Sequence, residues 1–294
     1  MTSPLAARFT ALLSLTVAVG SPTSAQAPAR TAAVESLVGA ERAFAKTSVE
    51  LGIKAAFLAN LADDAVIFRP GPVAGKKFFT DNPPSPAYLN WEPRYADVAT
   101  DGALGFTTGP YELRPQGASD STRRYGHYVT MWKRTGTGPW KVALDIGTAH
   151  EKAEPRPLSL RQSPSRTYTD ADASRAGLLH ADSALGSTRG DQYRVFAPRL
   201  TSDARLYRMG TLPVVGADSV RTAMRADARA FHSAPTDGYV ARSGDFGYTY
   251  GAYTLTPTKP EAAEESGYYL RIWRRDSAGL WLVLLDLANP VPKK

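Results

Sequence analysis

One stretch of this chain occurs twice, and that duplication limits the possible folds more than any other feature. Gly126-His127-Tyr128-Val129-Thr130-Met131-Trp132-Lys133-Arg134, a turn over 135–139, and Trp140-Lys141-Val142-Ala143-Leu144-Asp145-Ile146 form the first occurrence. They return as Gly267-Tyr268-Tyr269-Leu270-Arg271-Ile272-Trp273-Arg274-Arg275, a turn, and Trp281-Leu282-Val283-Leu284-Leu285-Asp286-Leu287. The offset is 141 both from Gly126 to Gly267 and from Asp145 to Asp286. A chain of 294 residues with an internal copy reads as two domains, each large enough for its own core.

Other blocks recur in the same order. Phe57, Leu61, Asp64, Ala65 and Arg69 return as Phe196, Leu200, Asp203, Ala204 and Arg208, and the strand over 105–113 returns over 247–255. Upstream, Val34, Leu37, Val38, Glu41 and Phe44 follow helical spacing within 31–46, and a shorter helix is expected over 53–61. Asp63-Asp64 reads as a turn into a short strand over 65–69, which Pro70-Gly71-Pro72 ends. A Pro-rich loop with one helical turn over 76–79 precedes strands over 90–99, 102–113, 125–134 and 140–148. The second copy repeats this plan, with helices over 173–185 and 191–200 and a further helix over 217–231 in place of the loop. Helices followed by an antiparallel meander predict an α+β fold with one apolar sheet face turned inward.

The N-terminus has the order of an export signal. Arg8 precedes the apolar run Ala11 to Val19, and Ala25-Gln26-Ala27 supplies the small residues of a cleavage site. The expected layout is a signal peptide over 1–27, a domain over 28–152, a Pro/Ser-rich linker over 153–172 and a domain over 173–294. The mature protein is expected to be exported, to the bacterial periplasm or beyond the cell, with no membrane span. Without cysteine, each domain depends on its apolar core rather than on disulfides. The four histidines have no metal-ligand spacing, so no metal or cofactor is expected. The net charge of +7 comes from dispersed arginines. Arg221, Arg225 and Arg229 are spaced as one solvated helix stripe, and nucleic acid is rejected as a partner.

Two helices, a strand after Ala62-Asp63-Asp64, and a meander ending in Gly-x-Tyr-x-x-x-Trp-x-Arg and Gly-x-Trp-x-Val-x-Leu-Asp resemble the nuclear transport factor 2-like superfamily. This is the group that holds ketosteroid isomerases and SnoaL-like cyclases. The loop at Phe68-Arg69-Pro70-Gly71-Pro72 is most similar to its exported branch of unknown function. The resemblance implies two tandem cystatin-like, cone-shaped α+β barrels, each with N-terminal helices on a curved antiparallel sheet. It also places Arg69 and Arg208 where the isomerases carry their catalytic Asp, and Phe44 and Leu185 where they carry the oxyanion-binding Tyr. Arginine stays protonated and cannot act as that base. Enzyme activity of the isomerase type is therefore unsupported by either copy.

Three groups of residues remain as site candidates. If Arg134 stands opposite Trp140, Asp145 faces Val129 and lies diagonal to His127, on one sheet face roughly 7–8 Å apart. His127 and Asp145 are then an acid–base pair or a structural hydrogen bond, and a bulge would undo the pairing. Arg69 and Arg208 could hold a ligand carboxylate or form salt bridges to Asp64 and Asp203. Trp132 and Trp273, with Tyr111, Tyr253, Tyr268 and Asp286, could contact a flat ligand or fill the sheet core. The leading expectation is an exported binding or accessory protein that holds a small apolar or aromatic ligand. The alternatives are an acid–base isomerase, cyclase or dehydratase in the first copy, or a tandem that mimics a homodimer, its two domains packed on each other.

Overall fold

The structure is a computed structural model. It describes residues 26–152, 157–160, 166–227, 229–258 and 263–291. The expected signal peptide lies outside the described residues, except for Gln26 and Ala27, which begin the first helix.

Copy one starts with α1 (Gln26–Leu51), whose Val34, Leu37, Val38, Glu41 and Phe44 are all buried along one stripe. Gly52, at φ 85°, ends α1 and starts α2 (Ile53–Asn60) at an angle to it. The chain continues through β1 (Leu61–Phe68), β2 (Pro72–Ala74), α3 (Gly75–Asp81), β3 (Tyr88–Trp91), β4 (Tyr95–Val98), β5 (Leu104–Arg114), β6 (Arg124–Lys133) and β7 (Lys141–His150). Asp63-Asp64 is therefore part of a strand and not a turn. Pro70 and Pro72 do not simply end that strand, because the chain folds back and β2 pairs with β1. Ser159–Leu160 in the expected linker forms β8, parallel to β4.

Copy two contains α4 (Arg175–Gly186), α5 (Gln192–Phe196), β9 (Leu200–Arg208), β10 (Val214–Val215), α6 (Ala217–Arg225), β11 (Ala230–Val240), β12 (Phe246–Thr256), β13 (Glu265–Arg275) and β14 (Trp281–Pro290). The side chains of Ser174 and Asp191 cap α4 and α5 by accepting from Gly177 N and Arg194 N. α6 stops at Arg225, so Arg229 is not on its stripe but pairs with Asp227 and Glu265. Both copies carry a helix at this point, α3 and α6, so the expected contrast between loop and helix is not found.

The architecture is α+β with two sheets. One runs β2-β1-β7-β6-β5-β4-β8, with β3 also on β5, and the other runs β10-β9-β14-β13-β12-β11. The expectation of antiparallel sheets needs a correction, since β1 pairs parallel to β7 and β9 parallel to β14. In each copy the strand that follows the helices lies beside the last meander strand, and the two run in the same direction. Helices cover one face of each sheet and enclose the clusters around Trp132 and around Trp273. A third apolar cluster takes Phe106, Val129, Met131 and Leu144 from one sheet and Phe246, Leu270, Ile272 and Leu285 from the other. Among the described residues no helix is long and apolar enough to cross a membrane.

Candidate functional site

A bulge decides which residues can meet. Lys133 pairs with Lys141 and Trp132 with Val142, but Met131 pairs with Leu144, leaving Ala143 as an extra residue on β7. Copy two repeats this at Leu284, where Trp273 pairs with Val283 and Ile272 with Leu285. The bulge lets Ala143 and Leu144 both enter the cluster between the sheets. It also shifts the register by one beyond that point, so Asp145 faces Thr130 and not Val129.

The expected pairing of His127 with Asp145 is therefore not formed. His127 lies on the face shared by the two sheets, where its Nδ1 is 2.7 Å from Nε2 of His150. Asp145 lies on the opposite face, under the helices, and accepts a hydrogen bond from Thr130 Oγ1 at 2.7 Å.

On that inner face copy one holds a cavity of about 290 Å³. Phe44, Phe57, Trp91, Tyr111 and Tyr128 are the aromatic residues of its wall, with Arg69 and Asp145 as its charged groups. Tyr111 lies across Gly126, where a Cβ would come within 2.4 Å of its ring. Burial is the main cause that raises the Asp145 carboxyl to about 6, against the hydrogen bond from Thr130 and the charge of Arg69. Deeper in the core, Glu41 is fully buried among Trp91, Thr107 and Trp132, with Trp132 Nε1 donating to it at 2.8 Å. Desolvation raises it to about 7 despite these donors, and Asp145 adds to the rise. Copy one thus has two carboxyls facing its interior, while Arg69 stays at the exposed margin.

Copy two has the opposite arrangement. Arg271 occupies the position of Thr130, opposite Asp286 in the register. It is fully buried, 2.8 Å from Asp286, ion-paired with Asp182, and over the ring of Tyr269 at 3.9 Å. Arg208 completes the group at 2.6 Å from Asp286. Burial pushes Asp286 up, but the two arginines together hold it below the usual carboxylate range. Two cations and two carboxylates are gathered around Asp286, where copy one has Thr130 and an open cavity beside Asp145. A hollow of about 310 Å³ in copy two is lined by Arg208, Asp227, Arg229 and Glu265, and Asp286 is not among its lining residues.

The other candidate residues divide between cavity and core. Arg69 and Tyr111 line the copy-one cavity. Trp132 and Trp273 are buried core residues, and neither lines either of these two cavities. Tyr253 is buried and donates to Glu265 at 2.6 Å. Tyr268 faces Phe68 of the other copy, 6.4 Å between ring centroids. The expected salt bridges of Arg69 and Arg208 to Asp64 and Asp203 are not formed, because Lys133 pairs with Asp64 and Arg274 with Asp203. The sequence places Glu41 on a helical stripe without singling it out as a site residue, although a carboxylate inside an apolar stripe is a visible signal. The contrast of Thr130 with Arg271 was equally visible once the copies were aligned.

No family model matches the chain, and no curated protein matches it. Several solved structures are similar to it. A nuclear transport factor 2-like protein of unknown function from Pseudomonas putida is 17% identical, covering 46% of this chain and 98% of that one, with a TM-score of 0.34. A ketosteroid isomerase-like protein from Parabacteroides distasonis is 10% identical over 40% of this chain and 87% of that one, with a TM-score of 0.33. A conserved protein from Planctomyces limnophilus is 20% identical over 39% and 89%, with a TM-score of 0.29. Over less than half of its length in each case, the chain is similar to nuclear transport factor 2-like and ketosteroid isomerase-like proteins.

Proposed function

We propose that the protein is an exported binding module in which copy one holds a small aromatic or alicyclic molecule and copy two no longer does. The observation that carries this reading is the exchange of Thr130 for Arg271. Threonine leaves Asp145 facing an aromatic cavity, whereas arginine engages Asp286 in a buried ion-pair group. The cavity of about 290 Å³ suits a compact ligand whose hydroxyl or amine donates to Asp145 while its apolar body packs on Phe57 and Trp91. Copy two then acts as a fixed partner that covers the outer sheet face of copy one, an internal counterpart of a homodimer.

The test is titration with 2-naphthol, followed by tryptophan fluorescence and calorimetry. Saturable one-to-one binding that Thr130→Arg abolishes supports the reading. Equal binding to wild type and Thr130→Arg overturns it.

A second reading, acid–base chemistry on a bound hydroxyl or ketone, is favoured by one observation. The Asp145 carboxyl, raised to about 6, holds and releases a proton near neutral pH. It requires turnover that disappears in Asp145→Asn, and turnover that survives this change excludes it.

A further inference from the structure

The two sheets leave a cleft of about 430 Å³ at one end of their shared face. Its walls come from both copies, with Arg94, Tyr95 and His127 on one side and Arg205 and Leu212 on the other. Among the described residues no Asp or Glu lines it. Arg205 reaches across to copy one and sits over the Tyr95 ring, its guanidinium carbon 3.8 Å from the centroid. Among the described residues neither the Arg94 nor the Arg205 guanidinium has a hydrogen-bond or ion-pair partner, and the Nε of each is shut off from solvent. Asp203, two residues before Arg205, is engaged elsewhere, accepting from the Tyr95 hydroxyl at 3.1 Å and pairing with Arg274 at 3.3 Å.

The repeat does not require these cations. Val66 holds in copy one the strand position that Arg205 holds in copy two, each pairing with the short strand that follows, and Val66 simply packs against the shared core. Placing two partly buried guanidinium groups in a cleft with no partner among the described residues costs free energy unless something pairs with them. The fork of N–H donors on arginine matches an oxyanion better than any other ligand group.

We propose that this cleft binds a small organic molecule through a tetrahedral oxyanion, a phosphate or sulfate ester group, held by Arg94 and Arg205. The body of the molecule lies against Leu212 and Pro213. The cleft shares no lining residue with the copy-one cavity, so the two sites are tested separately.

The experiment is isothermal titration of the full chain with phenyl phosphate, phenyl sulfate, inorganic phosphate and benzyl alcohol. Saturable binding of one or both esters is expected, tighter than inorganic phosphate, with none for benzyl alcohol, and the stronger ester identifies the oxyanion. Arg94→Gln and Arg205→Gln should each weaken ester binding about tenfold or more. Lys46→Gln, which removes an exposed cation elsewhere, should leave it unchanged. If one variant fails to fold, replacement of that arginine by Lys, which keeps the charge but loses the fork, takes its place in the comparison. The proposal is overturned if neither ester binds, if inorganic phosphate binds as tightly as the esters, or if both arginine variants bind like the wild type.

Discussion

Thr130 and Arg271 occupy the same position in the two copies, each opposite the aspartate of the next strand. In copy one a hydroxyl donates to Asp145 and the space beyond stays open. In copy two a guanidinium joins Asp182 to Asp286. Removing the cation leaves two buried carboxylates without their shared partner. Arg271→Thr should therefore destabilise the protein by about 3–5 kcal/mol, measured by urea unfolding at pH 7. Adding Asp182→Asn should recover part of the loss, because it removes one of the stranded charges. A cost below about 1 kcal/mol would show that the cluster is not what stabilises copy two.

Glu41 makes stability depend on pH in a defined direction. Its ordinary value is 4.5 and the folded protein holds it at about 7. Below 4.5 both the folded and unfolded states carry the proton, and between 4.5 and 7 only the folded state does. Stability is thus greatest at the acid side and falls as pH rises through this window, then levels off above it. The loss attributable to this group is on the order of 3 kcal/mol. Unfolding curves at pH 5 and pH 8 should differ less in Glu41→Gln than in the wild type. An unchanged difference rules out Glu41 as its source.

Asp145 should govern ligand binding in the same pH range. A ligand that donates a hydrogen bond prefers the ionised carboxylate, which predominates above about 6. Affinity for 2-naphthol should rise as pH increases through this value, by about tenfold for one charge-assisted hydrogen bond. Asp145→Asn should bind more weakly at pH 8 and show no such rise. Calorimetry at several pH values reads both effects.

Arg274 joins the copies by pairing with Asp97 of the other sheet and with Asp203 of its own. The two equivalent turns also hold each other, since Asp101 N donates to Ser243 Oγ and Ser243 N donates to Asp101. Arg274→Ala should cost about 3 kcal/mol, at the lower end for a broken buried pair because Arg30 still reaches Asp97. The full chain should run as a monomer by light scattering. A fragment over 166–291 should self-associate through the exposed face of Leu270, Ile272 and Leu285. A soluble monomeric fragment contradicts the internal-dimer reading.

The sequence alone determined the duplication, the helices that open each copy, the repeated hairpin that closes it, and the apolar stripe of α1. These follow from periodicity, which is local to each segment and survives translation by 141 residues. Only the tertiary structure decided which face each side chain takes. One extra residue at Ala143 turns Asp145 away from His127 and toward the helices, because side chains on a strand alternate with a period of two. Distance along the chain also hides the partners of Arg271. Asp182 lies on a helix and Asp286 on the next strand, and folding alone brings both to one buried guanidinium. Asp145 faces a cavity in copy one while Asp286 is held in an ion-pair group in copy two, and the side chains at the shared position, Thr130 and Arg271, differ accordingly. That position was legible in the aligned repeat, but its consequence appeared only when the helices closed over the sheet.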